Sequence, residues 1–369
     1  MKICSPQLGV SPNSSLGGEI YDHQTLKGFT KKGIKVFVYL PKGRLFDRSL
    51  KNFKVEYCFM THIVPPWIYS FICLPYIFRT YKKEKFDILR IHSPRFLGLA
   101  AIIFHFFYPS VLIMSSQVTV DASFIFYPIE WLTFRISKKI IVQSEYMKNL
   151  IIKKYGINSN KIVVTFGGQL QSPKKSHILP KGAKNIKPDV PIILFMGVLI
   201  KRKNATFLLD VLKKCKENIP NLKLVIIGNG PEKRTIIKKV KDNMLENDVI
   251  LIDFAYGEDK AYWLSRMNIF VMPSRDEAFG LAVTEAMSYA KPVITSNMAS
   301  FKEIINNRNN GFTLPLENKE QWSKNIVKLL QTTSLSKKIG INAKKTVQEK
   351  FNWEKTFNLN YKAAQEMLQ

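Results

Sequence analysis

Short apolar runs alternate with longer amphipathic stretches along most of the chain. In the first half the runs are Lys2–Cys4, Val36–Tyr39, Ile88–Ile91, Val111–Met114, Lys139–Gln143 and Lys161–Thr165. In the second half they are Ile192–Met196, Lys223–Ile227, Val249–Ile252, Ile269–Met272 and Val293–Thr295. They are β-branched and do not alternate with polar residues, which predicts parallel strands buried on both faces. Helix-length segments between them predict doubly wound α/β sheets, with ligands bound beyond the carboxyl ends of the strands. From Gln171 to Asp189 the pattern lapses. Three prolines, five lysines and little apolar periodicity predict a linker there. The stretch after Trp353 reads as a helix.

Length and composition narrow this picture. A chain of 369 residues can hold two domains of ordinary size. Hydrophobic content of 46% and charged content of 23% fit a globular protein and exclude a disordered one. Cys4, Cys58, Cys73 and Cys215 show no paired or metal-type spacing. That excludes a disulfide framework or a zinc site and predicts a reducing, cytoplasmic compartment. Met1 to Val10 is too short, and too soon interrupted by Pro6, for a secretory signal, and reads as a first strand entering a loop.

The net charge of +28 is uneven. Residues 1–189 carry 28 Lys and Arg against 10 Asp and Glu, and the remainder 28 against 18. Such a field attracts polyanions: nucleotide phosphates, anionic lipid or nucleic acid. No basic–aromatic motif of a known nucleic-acid reader accompanies it, so nucleic acid is not an expected partner. Phe59 to Phe78 contains no Asp, Glu, Lys or Arg, and Arg79, Lys82, Lys83 and Lys85 follow it. His62, Pro65, Pro66 and Pro75 argue against a membrane-spanning helix. Two readings stand: a buried helix with a charged end, or aromatics and lysines set against an anionic membrane surface.

The most informative chemistry lies at residues 273–297. An apolar run ends in Pro273-Ser274, Glu277 sits in the following loop, and Glu285 comes after seven intervening residues, in a small-residue helical pattern. Carboxylates suit sugar hydroxyls, and free N–H groups at a helix start suit phosphate oxygens. This segment resembles the Glu-x7-Glu signature of glycosyltransferase family 4, retaining sugar-nucleotide enzymes. The Phe279-Gly280 and Lys291-Pro292-Val293 steps fall in the family's order. The resemblance implies a GT-B fold, two Rossmann-like domains facing a central cleft. Its expected parts are an acceptor-side domain over 1–172, a linker over 173–189 and a nucleotide-sugar domain over 190–352. A helix over 353–369 would cross back to the first domain.

The same resemblance assigns site residues. Glu277 and Lys203 would be catalytic, with Arg202 as a further cation. Val198 stands where the family has an arginine. Glu285 would hold the ribose, and Ala278, Phe279, Gly280 and Leu281 would fix the sugar ring. Gly17 and Gly18 correspond to the first-domain diphosphate loop, Gly197 to the glycine after the first strand of the second domain. Gly230 corresponds to the Gly-Asp-Gly-Pro-Glu turn, here Gly228-Asn229-Gly230-Pro231-Glu232, and Ile252 to the base pocket. His92-Ser93-Pro94 matches the family's strand-end step. The family's next histidine is absent, leaving Ser116, Gln117 or Asp121 to supply hydrogen bonds. Gly167-Gly168 falls at the first domain's end.

No Asp-x-Asp occurs, so lysine, arginine and helix N-termini would balance the diphosphate; no metal or other cofactor is expected. The implied activity is retaining transfer from a nucleotide-diphosphate sugar to a glycan or lipid-linked acceptor. The protein would sit peripherally on the inner face of the membrane. The alternatives are a GT-B relative without transfer activity, such as a sugar-nucleotide epimerase or inactive scaffold, and, further off, a nucleic-acid-binding protein.

Overall fold

In the computed structural model every run named above forms a strand. The structure describes residues 1–12, 14, 16–44, 52–61, 66–117, 124–169, 176, 179–183 and 186–369. The chain divides into two units, Met1–Gly167 with Trp353–Gln369, and Gly168–Asn352. The described part of the stretch expected as a linker belongs to the second unit, where Pro180 and Ala183 are buried.

The first unit is built on β1 (Lys2–Pro6), β2 (Lys35–Lys42), β3 (Phe53–Thr61), β4 (Ile88–His92), β5 (Leu112–Gln117), β6 (Lys139–Val142) and β7 (Ile162–Val164). Its helices are α1 (Gly17–Lys31), α2 (Tyr69–Glu84), α3 (Pro94–Phe107), α4 (Tyr127–Ile136) and α5 (Glu145–Tyr155). The strands pair in parallel in the order β3-β2-β1-β4-β5-β6-β7. Period-two alternation sends Ile3, Val36, Val38, Ile88, Met114 and Ile141 to one face, where Tyr21 and Phe29 of α1 cover them. Cys4, Tyr39, Leu89, Ile91 and Ile113 take the other face, against Cys73 and Ile77 of α2 and Leu97 and Phe104 of α3.

In the second unit the strands are β8 (Ile192–Met196), β9 (Lys223–Ile227), β10 (Val249–Ile252), β11 (Ile269–Met272), β12 (Val293–Ser296) and β13 (Phe312–Leu314). The helices between them are α6 (Phe207–Lys216), α7 (Lys233–Asp242), α8 (Gly257–Arg266), α9 (Leu281–Ser288) and α10 (Ala299–Ile304), followed by α11 (Lys319–Gln331) and α12 (Thr333–Lys350). The parallel order is β10-β9-β8-β11-β12-β13. The last helix, α13 (Trp353–Leu368), packs in the first unit: Phe357 meets Phe29 edge-on at 5.7 Å, and a Cβ at Gly28 would fall 2.1 Å from the Phe357 ring.

Two strands escaped the pattern. β3 mixes Lys54, Glu56 and Tyr57 among its apolar residues, and β13 spans three residues. Both are sheet edges, where one side of the strand carries no neighbour and a fully apolar run is not required. The uncharged stretch from Phe59 divides between the end of β3, a 3-10 turn at Pro66–Ile68 and α2, with Pro75 inside the helix. His62 and Pro65 lie outside the described residues. Among those described, no helix is long and apolar enough to cross a membrane.

Candidate active site

In each sheet the strand order reverses once, between β1 and β4 and between β8 and β11. Loops leaving such neighbours diverge and open a crevice at the carboxyl ends of the strands. At the β8–β11 reversal the two loops are tied together. Arg275 N–H donates to the Arg202 carbonyl at 2.7 Å, and the Arg202 guanidinium donates to the Asp276 carbonyl at 3.1 Å. Lys203 Nζ donates to Glu277 Oε2 at 2.5 Å, and Arg202 Nη1 stands 3.7 Å from the same oxygen. The Lys203 and Glu277 side chains are only 13% and 14% exposed. A charge-assisted bond so shielded fixes the ammonium and the carboxylate against each other.

Close backbone approach explains the glycines around this pair. A Cβ at Gly228 would fall 1.9 Å from the Gly197 carbonyl oxygen, and one at Gly230 would fall 2.5 Å from that of Leu199. Leu199 N–H donates to the Asn229 carbonyl and Glu232 N–H to the Leu199 carbonyl, both at 2.9 Å, which stitches the loops after β8 and β9. A Cβ added at Gly197 would fall 3.9 Å from Cε of the Lys203 stem, an ordinary contact. Gly280 caps α9 at φ +116°, and a Cβ there would meet the Phe301 ring at 2.8 Å. Phe279 is buried, its ring 5.4 Å from that of Phe351, so it anchors the loop between Ala278 and Leu281.

Glu285, in the second turn of α9, stands in a separate ion pair. Lys260 of α8 reaches its Oε1 at 2.6 Å. Burial, and then the Glu285 carboxylate, push the Tyr289 hydroxyl up to about 12. Ile252, half-buried at the end of β10, lies against the turn at 181–183: a Cβ on Gly182 would come 3.3 Å from its Cδ1.

Other expected residues belong to the first unit. Gly17 and Gly18 form the first turn of α1, where the Leu16 carbonyl accepts from Glu19 and Ile20. His92 ends β4 and is buried, its Nδ1 against the Asp22 carboxylate of α1, which also takes Arg90 Nη2. Burial would raise the Asp22 pKa, but Arg90 and His92 outweigh it and hold the group at about 2. Ser116 is buried at the end of β5. Gln117 is the last residue of β5, and Asp121 lies outside the described residues.

The structure therefore brings Lys203, Arg202 and Glu277 together, while Glu285 pairs with Lys260 instead. Residues 180–346 match the family model for Glycosyl transferases group 1, and residues 17–168 match that for Glycosyltransferase Family 4. The chain belongs to glycosyltransferase family 4. It is 28% identical over 242 residues to the capsular polysaccharide biosynthesis glycosyltransferase CapM of Staphylococcus aureus, a span covering 63% of each chain. Matches to two uncharacterized glycosyltransferases of Methanocaldococcus jannaschii cover 66% and 57% of those proteins' lengths, so these alignments fall short of two thirds of the relatives.

Among solved structures, sucrose-phosphate synthase from Thermosynechococcus elongatus superposes with a TM-score of 0.86 at 17% identity, covering 100% of this chain and 99% of its own. Anabaena HepE, in complex with UDP and glucose, gives 0.83 at 17% identity, covering 99% of both chains. At such identities the likeness shows the fold, which is GT-B.

Two parts of this family 4 chain were not foreseen. Lys260 is one lysine among many, and nothing in its spacing ties it to Glu285. The Asp22–Arg90 pair left one signal, an arginine inside the apolar run Ile88–Ile91, since a buried guanidinium demands a partner.

Proposed function

We propose that the protein transfers a sugar from a nucleotide-diphosphate donor to an acceptor hydroxyl with retention of anomeric configuration. The observation that carries this reading is the Lys203–Glu277 bond at the β8–β11 reversal, inside a family 4 segment. Lys203, with Arg202 beside it, neutralises charge growing on the leaving diphosphate. Glu277 holds a donor sugar hydroxyl, and Glu285, steadied by Lys260, holds the ribose. Backbone from Ala278 to Leu281 fixes the ring, Gly197 and Gly230 let the diphosphate approach, and Ile252 lines the base.

The acceptor oxygen bonds to the anomeric carbon as the bond to the leaving phosphate oxygen breaks. The acceptor proton passes to that phosphate oxygen, so no protein nucleophile is required. Such preorganised charge contributes about 3 kcal/mol per well-placed group. Glu277→Ala should lower transfer about a hundredfold or more while the fold persists. Near-normal turnover with a matched donor and acceptor would remove Glu277 from the mechanism. Product analysis with labelled donors distinguishes transfer from the epimerase alternative that Val198 keeps open.

The acceptor proposed first is lipid-linked, in glycan or glycolipid assembly, with the protein peripheral on the cytoplasmic face of an anionic membrane. Support comes from the outward side of α2 and its lead-in turn, where Trp67, Phe71, Pro75, Arg79, Lys82 and Lys83 are exposed. Phe78, 5.6 Å from the Phe107 ring, joins this stripe to the exposed Phe106 and Phe107 at the end of α3. Aromatics at one end and cations at the other match the depth profile of a bilayer interface. Salt-sensitive flotation with anionic vesicles is the expected behaviour; no flotation at low salt would exclude this face as a membrane contact.

A further inference from the structure

The Lys291-Pro292-Val293 step takes no part in the Lys203–Glu277 site. Lys291 and Pro292 lead into the amino end of β12, and Asn268 leads into that of β11. Lys203 and Glu277 lie past the carboxyl ends of β8 and β11, so the strand length of β11 sets the two regions on the order of 13 Å apart. At this amino edge the second unit has a cavity of about 360 Å³. Its polar lining is Asn268, Tyr289, Lys291, Thr333, Ser336 and Lys337, with Leu329 on the apolar side. Two cations stand in that lining and no carboxylate does.

Lys291 is half-buried, and the charge that reaches it is the Arg266 guanidinium, of like sign. No carboxylate among the described residues offsets it. Burial, and then Arg266, push the Lys291 ammonium below the ordinary lysine value. Arg266 brings no acid of its own, since its guanidinium donates to the Lys187 and Val190 carbonyls. A shielded ammonium facing like charge calls for an anion. The rest of the lining supplies donors. Asn268 Oδ1 accepts from Ile192 N–H at 2.8 Å, which fixes the amide and leaves Nδ2 as a donor. α12 starts at Thr333 with no capping side chain and no acid in its first turn. Ser336 N–H bonds back to the Thr332 carbonyl, so the N–H groups of Thr333, Ser334 and Leu335 have no intrahelical acceptor. Close packing holds this wall in place: a Cβ at Gly340 would fall 2.1 Å from the Ala290 carbonyl oxygen. Ammonium, amide, hydroxyl and backbone N–H groups around one space suit a ligand whose oxygens accept and carry more than one negative charge. A phosphate monoester has both properties. The volume far exceeds the about 10–15 Å³ that one water requires, so the ester can carry a small organic group along Leu329.

We propose that Lys291, Lys337, Asn268 and the start of α12 form a binding site for a soluble phosphate monoester, at the opposite strand ends from Lys203 and Glu277. The site does not depend on the transfer reading.

Calorimetric titration of the full chain with glycerol 3-phosphate, and separately with inorganic phosphate, tests the site. Both probes should bind saturably, and Lys291→Met should weaken them about tenfold. Lys337 is exposed, so Lys337→Met should weaken them about threefold, and it decides the matter if Lys291→Met does not fold. Lys203→Met, at the other end of the strands, should leave this binding in place. Loss in Lys203→Met with none in Lys291→Met would put the phosphate beside Glu277 and overturn the site. No saturable binding of either probe, or wild-type affinity in both Lys291→Met and Lys337→Met, would overturn it too. Lys291-dependent binding of phosphatidic acid vesicles without binding of glycerol 3-phosphate would replace the soluble ester by a lipid headgroup. Nucleotide binding, measured on the same samples, reports separately on the transfer reading.

Discussion

Lys203 pairs with Glu277, and this gives Glu277 two separable effects. Glu277→Ala should lower transfer about a hundredfold or more yet leave nucleotide-diphosphate affinity equal or higher, because Lys203 loses its competitor. Calorimetric titration beside a transfer assay checks both halves; tenfold weaker nucleotide binding would contradict the competition. Asp22 supplies a second residue-scale prediction. Its folded pKa, about 2, lies below the ordinary 3.8, so its stabilisation is full above pH 3.8 and fades as pH falls toward 2. The depression corresponds to about 2 kcal/mol. Acid unfolding of the wild type should show that loss between about pH 4 and pH 2, and the pH slope of Asp22→Asn should lack it. Parallel slopes would show that the pair does not couple to folding. Local order made Glu277, Glu285 and Lys203 legible in the sequence, because loop, helix start and turn residues mark one another. Lys260 and the Asp22–Arg90 contact were not legible, since each pairing is made by strands and helices far apart in the chain.

Elements were easiest to read where burial on both faces forces an unbroken apolar run, as in β8, β9, β11 and β12. They were missed where an edge relaxes that demand, as in β3 and β13. Loops between elements obey a different constraint, close backbone approach. Gly228→Ala would drive a methyl into the Gly197 carbonyl, 1.9 Å from the ideal Cβ position. It should lower stability by at least about 2 kcal/mol and weaken nucleotide binding through the displaced Gly197–Lys203 loop. Denaturant unfolding of the variant tests this; a change under about 0.5 kcal/mol would mean that the two loops part freely. For α2, the double change Trp67→Ser and Phe71→Ser removes exposed rings without touching the core face carried by Cys73 and Ile77. Vesicle flotation should fall while thermal stability holds, and unchanged flotation would move the membrane contact elsewhere.

At the scale of the whole molecule, the +28 charge combines with two parallel sheets whose strand orders each reverse once. Charge alone left lipid, nucleotide and nucleic acid open as partners; the fold and the family bring nucleotide phosphates to the front. The central claim is that Lys203 and Glu285 of the second unit grip a nucleotide diphosphate. Isothermal titration of the full chain with UDP, GDP and ADP tests it most directly. One of the three should bind the wild type, and Lys203→Met and Glu285→Gln should each weaken that nucleotide about tenfold or more. Binding of none of them, or equal affinity in wild type and both variants, would contradict the account.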